Sequence, residues 1–131
     1  MNILIVEDEA SSRLLLKSFL SEYGDISLAE DGGQAIEIFR GAVDSGNYFD
    51  LVILDIKLPV MGGLDVLKTI RNIEAEFGIA PADGTKVIMS TALSDHKSVL
   101  VAFREQCEIY LVKPIEKAML VESMRKLQLI D

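Results

Sequence analysis

Three of the five short apolar runs in this chain have no polar face, and that limits the fold more than any other feature. The runs NILIV (2–6), LVIL (51–54) and KVIMS (86–90) are apolar on both sides, as strands covered from above and below must be. Two further runs, ISLA (26–29) and IYLV (109–112), complete the set. The segments between and after them carry helical spacing instead. In 10–22, Leu15 and Phe19, and Leu16 and Leu20, repeat at four, while in 34–43 Ala35, Ile38, Phe39 and Ala42 form a stripe. Segment 64–77 offers Leu64, Leu67, Ile70 and Ile73, segment 98–106 is shorter, and 115–127 places Leu120, Met124 and Leu127 in register.

Strands that alternate with helices imply a parallel sheet with helices on both faces. Right-handed crossovers restrict the topology to a doubly wound α/β sheet. In such sheets ligands bind beyond the carboxyl ends of the strands, where the strand order reverses. The 131 residues suffice for one domain with a proper core, and no repeat, low-complexity tract or interdomain linker interrupts them. The longest stretch without periodicity, GIAPADGT (78–85), reads as a surface loop.

Composition removes several functions. A net charge of −8 argues against direct binding to nucleic acid or an anionic membrane, because phosphate contacts need surplus Lys and Arg. The opening MNILIVEDE meets acids after a short apolar run, so it is neither a signal peptide nor a membrane span. A single cysteine, Cys107, cannot form an internal disulfide and suits a reducing compartment, and the expected location is cytoplasmic. Cys107 itself reads as a small structural residue at a strand start.

The residues that follow the strands are where the chemistry lies. Glu7, Asp8 and Glu9 follow the first run, Asp55 and Lys57 the third, Thr91 and Ala92 the fourth, and Lys113-Pro114 the fifth. A parallel sheet gathers all of these on one edge. Two like charges about 4 Å apart at an effective dielectric near 20 cost on the order of 4 kcal/mol. Glu7, Asp8 and Asp55 together therefore require compensation by protonation or a cation. Lys113 supplies one positive charge against three negative ones. A hard divalent ion fits the remainder, and Mg²⁺ takes few carboxylates and keeps positions for a phosphate-bearing partner. Thr91 can donate to an anion there, and Asp55 is a nucleophile that needs no base near neutral pH.

At these residues the chain resembles the receiver domain of two-component response regulators. ILIVEDEASSR looks like that family's acidic-pair opening, and LVILDIKLPVMGGLDVL like its phosphoacceptor segment, with a proline four residues beyond the acid and Gly63 eight beyond. VIMSTA is similar to the strand with the hydroxyl switch residue, and YLVKP to the lysine-proline end. The four occur in the family's order along essentially the whole chain.

The resemblance implies a flavodoxin-like receiver fold: a five-stranded parallel sheet in order 2-1-3-4-5 with five helices, residues 1–131 forming one receiver domain without an output domain. It implies that Asp55 accepts a phosphoryl group from a sensor histidine kinase or a histidine phosphotransferase. Asp8, Asp55 and the backbone carbonyl of Lys57 would bind Mg²⁺, with Glu7 acting through water. Thr91 and Lys113 would hold phosphoryl oxygens, Tyr110 would turn inward on activation, and the Lys113–Pro114 bond would be cis. The protein would signal to a downstream protein target through the face of the fourth helix, fifth strand and fifth helix, with room for a phosphorylation-dependent dimer. It would be no enzyme beyond its own phosphoryl transfer and slow autodephosphorylation. It would stand alone, as chemotaxis and phosphorelay proteins do. Lys57 and Leu93 would flank the path of the hydrolysing water and lengthen the life of the phosphoryl group.

The chain departs from the family at several points. Glu7 replaces the more frequent Asp, FRGAVDSGNYFD and FGIAPADGTK lengthen the connections into strands three and four, and REQCEIYLVKP lacks the usual glycine-alanine step. His96 reads as a solvated residue opening the fourth helix. Two other folds use similar parts. A haloacid-dehalogenase phosphatase needs a second acid as general acid/base where this chain has Lys57. A flavodoxin needs a hydroxyl- and glycine-rich loop after strand one, where VEDEASS would repel phosphate.

Overall fold

The computed structural model describes residues 1–92, 97, 100–102 and 107–131. Five strands form one parallel sheet: β1 (Asn2–Val6), β2 (Asp25–Ala29), β3 (Leu51–Asp55), β4 (Lys86–Thr91) and β5 (Ile109–Val112). Their order is β2-β1-β3-β4-β5, so the order reverses between β1 and β3. Helices α1 (Ala10–Leu20), α2 (Gly32–Ser45), α3 (Gly63–Glu76) and a C-terminal helix (Lys117–Lys126) alternate with the strands. Residues 97 and 100–102 are helical between β4 and β5. His96 and Leu93 lie outside the described residues, as does most of segment 98–106.

The two-sided apolar strands do what their pattern requires. On one face Ile3, Ile5, Leu51, Ile53 and Ile88 pack with Leu16 and Leu20 of α1 and with Leu120 and Met124 of the C-terminal helix. On the other, Leu4, Val6, Val52, Leu54, Val87 and Met89 pack with Phe39 of α2 and with Leu67, Ile70 and Ile73 of α3. Helix α1 turns three of its four expected apolar residues to the core, with Phe19 half-buried against it and Leu15 left outside. Leu16 and Leu20 are buried while Leu15 is 51% exposed, since one helix against a sheet buries a single face. Asp31 caps α2 by accepting from the Gln34 N–H, and Gly46 ends it with φ 76°.

Segment 78–85 follows the expected surface loop through 78–83 and departs from it at its last two residues. Pro81–Asp83 form a 3₁₀ turn, and Gly84 and Thr85 are buried beneath it. The reason is a polar network at the amino end of the sheet. Glu74, 4% exposed, accepts from the Tyr48 hydroxyl, from the Thr85 N–H at 2.7 Å and from Arg71 at 2.7 Å. Arg71 also donates to the Thr85 carbonyl at 2.8 Å and to both oxygens of Glu108 at 3.0 and 3.2 Å. Glu108 in turn accepts from the Val87 N–H at 2.6 Å, supplying β4 with a partner before β5 begins. The two lengthened connections and the residue in place of the glycine-alanine step thus meet in one cluster.

Candidate functional site

The carboxyl ends of β1, β3, β4 and β5 converge beside the strand-order reversal. Asp55 and Thr91 are the last residues of β3 and β4, so their positions are set by the sheet ladder itself. Glu7 follows β1, and its N–H donates to the Ala29 carbonyl at 3.1 Å, extending that ladder by one residue. The chain turns from Asp55 into α3 at close range. A Cβ at Gly63 would lie 2.1 Å from the Asp55 carbonyl oxygen, so only glycine lets α3 start there.

The structure brings the three acids together. One carboxylate oxygen from each of Glu7, Asp8 and Asp55 lies within 4.8 Å of the others. Glu7 and Asp55 are buried, at 2% and 4% exposure, and Asp8 faces solvent. Lys113 reaches into the group, its Nζ donating to Asp55 Oδ2 at 2.7 Å and to Glu7 Oε2 at 3.2 Å. The Lys57 N–H donates to Asp55 Oδ1 at 3.1 Å, so both oxygens of that carboxylate are held. The Lys57 side chain is exposed and makes no ion pair among the described residues. The Lys113–Pro114 bond is cis, and the Lys113 N–H donates to the Thr91 carbonyl at 2.8 Å.

The electrostatics follow from this packing. Burial, and then the Asp55 charge, push the Glu7 carboxyl above the usual carboxylate range, against the opposing pull of the Glu9 N–H and Lys113. Burial works against the Lys113 ammonium too. The hydrogen bond and charge of Asp55, and then those of Glu7, outweigh it and raise its pKa. Lys113 therefore stays charged at neutral pH, and one ammonium still faces three acids. Three hard oxygen donors in excess of local positive charge suit Mg²⁺, with Glu7, Asp8 and Asp55 as the groups that could hold it.

Two other expected participants, Thr91 and Tyr110, belong to the adjoining strands β4 and β5. The Thr91 residue is buried, and its hydroxyl donates to the Ala92 carbonyl at 3.2 Å. Tyr110 is 40% exposed, an outward position for a residue expected to turn inward on activation. Sequence reasoning missed Arg13. Its guanidinium donates to the carbonyl of Glu7 at 2.9 Å and of Asp8 at 3.4 Å, and pairs with Glu30 at 3.3 Å. The available signal was its place on the first turns of α1, directly after the acids. A cleft of about 320 Å³ lined by Ser12, Leu15, Leu16, Pro114 and Ile115 adjoins Glu7 and Lys113. Among the described residues no helix is long and apolar enough to cross a membrane.

Comparison with known proteins agrees with this architecture. The family profile of the response regulator receiver domain matches residues 3–125. The chemotaxis protein CheY of Bacillus subtilis is 31% identical over 95% of this chain and 94% of its own length. The receiver domain of the Saccharomyces cerevisiae response regulator Ssk1, in co-crystals with the histidine phosphotransfer protein Ypd1, superimposes with a TM-score of 0.82. It is 26% identical, over 99% of this chain and 92% of that one. A CheX-CheY-BeF3-Mg²⁺ complex from Borrelia burgdorferi gives 0.80 at 25% identity, over 97% of this chain and 89% of that one. The chain spans only 12% of the rice proteins named probable histidine kinase 2 that it also matches.

Proposed function

Because the chain belongs to the response regulator receiver domain family of two-component signalling, we propose that it is a switch operated by phosphorylation of Asp55. The donor is a phosphohistidine on a sensor histidine kinase or a histidine phosphotransfer protein, as the likeness to the receiver crystallised with Ypd1 supports. The observation that carries the reading is the Asp55 carboxylate, 4% exposed, set among two further acids and Lys113.

An Asp55 oxygen attacks phosphorus, the phosphorus–nitrogen bond of the donor breaks, and the electron pair leaves with the imidazole. A carboxylate nucleophile, unlike a hydroxyl, needs no general base to activate it. Mg²⁺, when bound, offsets the negative charge of the acids and of the arriving phosphoryl oxygens. Lys113 then exchanges Asp55 Oδ2 for a phosphoryl oxygen without leaving the site. The Lys57 N–H holds Asp55 Oδ1 in place. Thr91 gives up the Ala92 carbonyl for a phosphoryl oxygen, and Tyr110 fills the space its hydroxyl vacates. The repacked surface beside β5 and the C-terminal helix is what a downstream protein reads. The protein turns over nothing but its own phosphoryl group, and it works in the cytoplasm, where kinase phosphohistidines are formed.

The test is incubation with acetyl phosphate, with and without Mg²⁺, followed by intact mass. The wild-type protein gains one phosphoryl mass only with Mg²⁺ and loses it in alkali. Asp55→Asn gains none. Equal labelling of Asp55→Asn on another residue would overturn the assignment.

A further inference from the structure

Asp8 is exposed, and no side-chain hydrogen bond among the described residues orients its carboxylate. It nonetheless lies within 4.8 Å of two buried acids that repel it. What holds it there is backbone. Arg13, with its side chain 13% exposed, donates one nitrogen to the carbonyls of Glu7 and Asp8, at 2.9 and 3.4 Å. Its other terminal nitrogen pairs with Glu30 after β2, at 3.3 Å. The Arg13 N–H also closes the first turn of α1 on the Glu9 carbonyl at 2.9 Å. The β1–α1 turn is thus pinned from behind by a planar fork whose geometry lysine cannot copy.

We propose that Arg13 is a positioning residue for the acidic cluster: it fixes the Glu7–Asp8 backbone so that Asp8 faces Asp55 and Mg²⁺ finds its carboxylates preassembled. The inference rests on the Mg²⁺ reading above, and its sign separates it from plain electrostatics. Arg13 is a cation near three acids. If charge were its whole role, removing it would deepen the negative potential and tighten Mg²⁺ binding. If it positions the turn, removal weakens binding, as loss of an outer-shell partner commonly does by about 10- to 100-fold.

The experiment is calorimetric titration of the full chain with MgCl₂ for wild type, Arg13→Met, Arg13→Lys, Glu30→Gln and Asp8→Ala. Thermal melts in EDTA establish that each is folded. Met retains the apolar stem of Arg13 and so the packing around it. Arg13→Met is expected to raise the Mg²⁺ dissociation constant at least ~10-fold. Arg13→Lys should recover part of that loss, and Glu30→Gln should change it little. Tighter or unchanged binding in Arg13→Met, with wild type binding and Asp8→Ala not binding, overturns the positioning role alone. Failure of wild type to bind, or undiminished binding in Asp8→Ala, overturns the metal site beneath it. If Arg13→Met does not fold, Arg13→Lys decides: an affinity equal to wild type overturns the proposal.

Discussion

Arg71→Met should cost this domain far more than any exposed ion pair. Arg71 has a side chain 12% exposed and grips Glu74 at 5% and Glu108 at 23%. It also satisfies the buried Thr85 carbonyl at 2.8 Å. Methionine fills much of the same volume but leaves Glu74 and Glu108 without their cation, and the Thr85 carbonyl without the guanidinium. Breaking a buried ion pair from one side costs about 3–5 kcal/mol, because the remaining charge stays desolvated. Arg40 and Glu76 form the natural contrast, a pair at 3.1 Å whose side chains are 47% and 58% exposed. Its loss in Arg40→Ala should cost about 0.5 kcal/mol. For a domain of this size each kcal/mol moves the melting temperature by roughly 3–4 °C, so Arg71→Met should melt about 9–20 °C lower. Urea unfolding followed by circular dichroism gives both free energies, with an unchanged slope if only stability has moved. A loss in Arg71→Met no larger than that in Arg40→Ala would refute the reasoning.

Three smaller predictions follow from single residues. The Thr85 hydroxyl is buried with no hydrogen-bond partner among the described residues, so Thr85→Val should be neutral or stabilise by up to about 1 kcal/mol in the same urea assay. Val60 stands at the centre of a three-residue turn closed by the Met61 N–H on the Pro59 carbonyl, with φ 68°, which a β-branched residue tolerates poorly. Val60→Asn should therefore raise stability by about 1 kcal/mol, and a loss would show that the turn carries no strain. Burial, with Glu108 nearby, pushes the Cys107 thiol up to about 11 from 9.0. Near pH 8 its thiolate fraction is then ~100-fold below that of an ordinary thiol, and burial slows iodoacetamide further. Alkylation at the rate of a free thiol would contradict that placement.

The sheet was legible because its signal is local. A short apolar run without a polar face, bounded by turns, reads as a strand covered on both sides, and β1, β3 and β4 show that plainly. The acids were legible through one added rule, that parallel strands bring their carboxyl ends to one edge. This placed Glu7, Asp8, Asp55 and Lys113 side by side from residues as much as 106 positions apart. The amino-edge network obeys no such rule. Tyr48, Arg71, Glu74, Thr85 and Glu108 share no period, and each reads alone as a solvated polar residue. Segment 78–85 looked like surface because its composition is that of a turn, while the burial of Thr85 depends on partners in α3 and before β3. Arg13 escaped for a related reason: its partners are backbone carbonyls, which every sequence has everywhere.

Phosphorylation of Asp55 in a site that needs Mg²⁺ leaves a chemical mark that can be located. Borohydride reduction of the protein after acetyl phosphate treatment converts a phosphorylated aspartate to homoserine, which tandem mass spectrometry locates. With Mg²⁺ present, homoserine is expected at position 55 and nowhere else, and none when EDTA replaces the metal. Homoserine at another acid, or equal conversion at Asp55 in EDTA, would contradict that expectation.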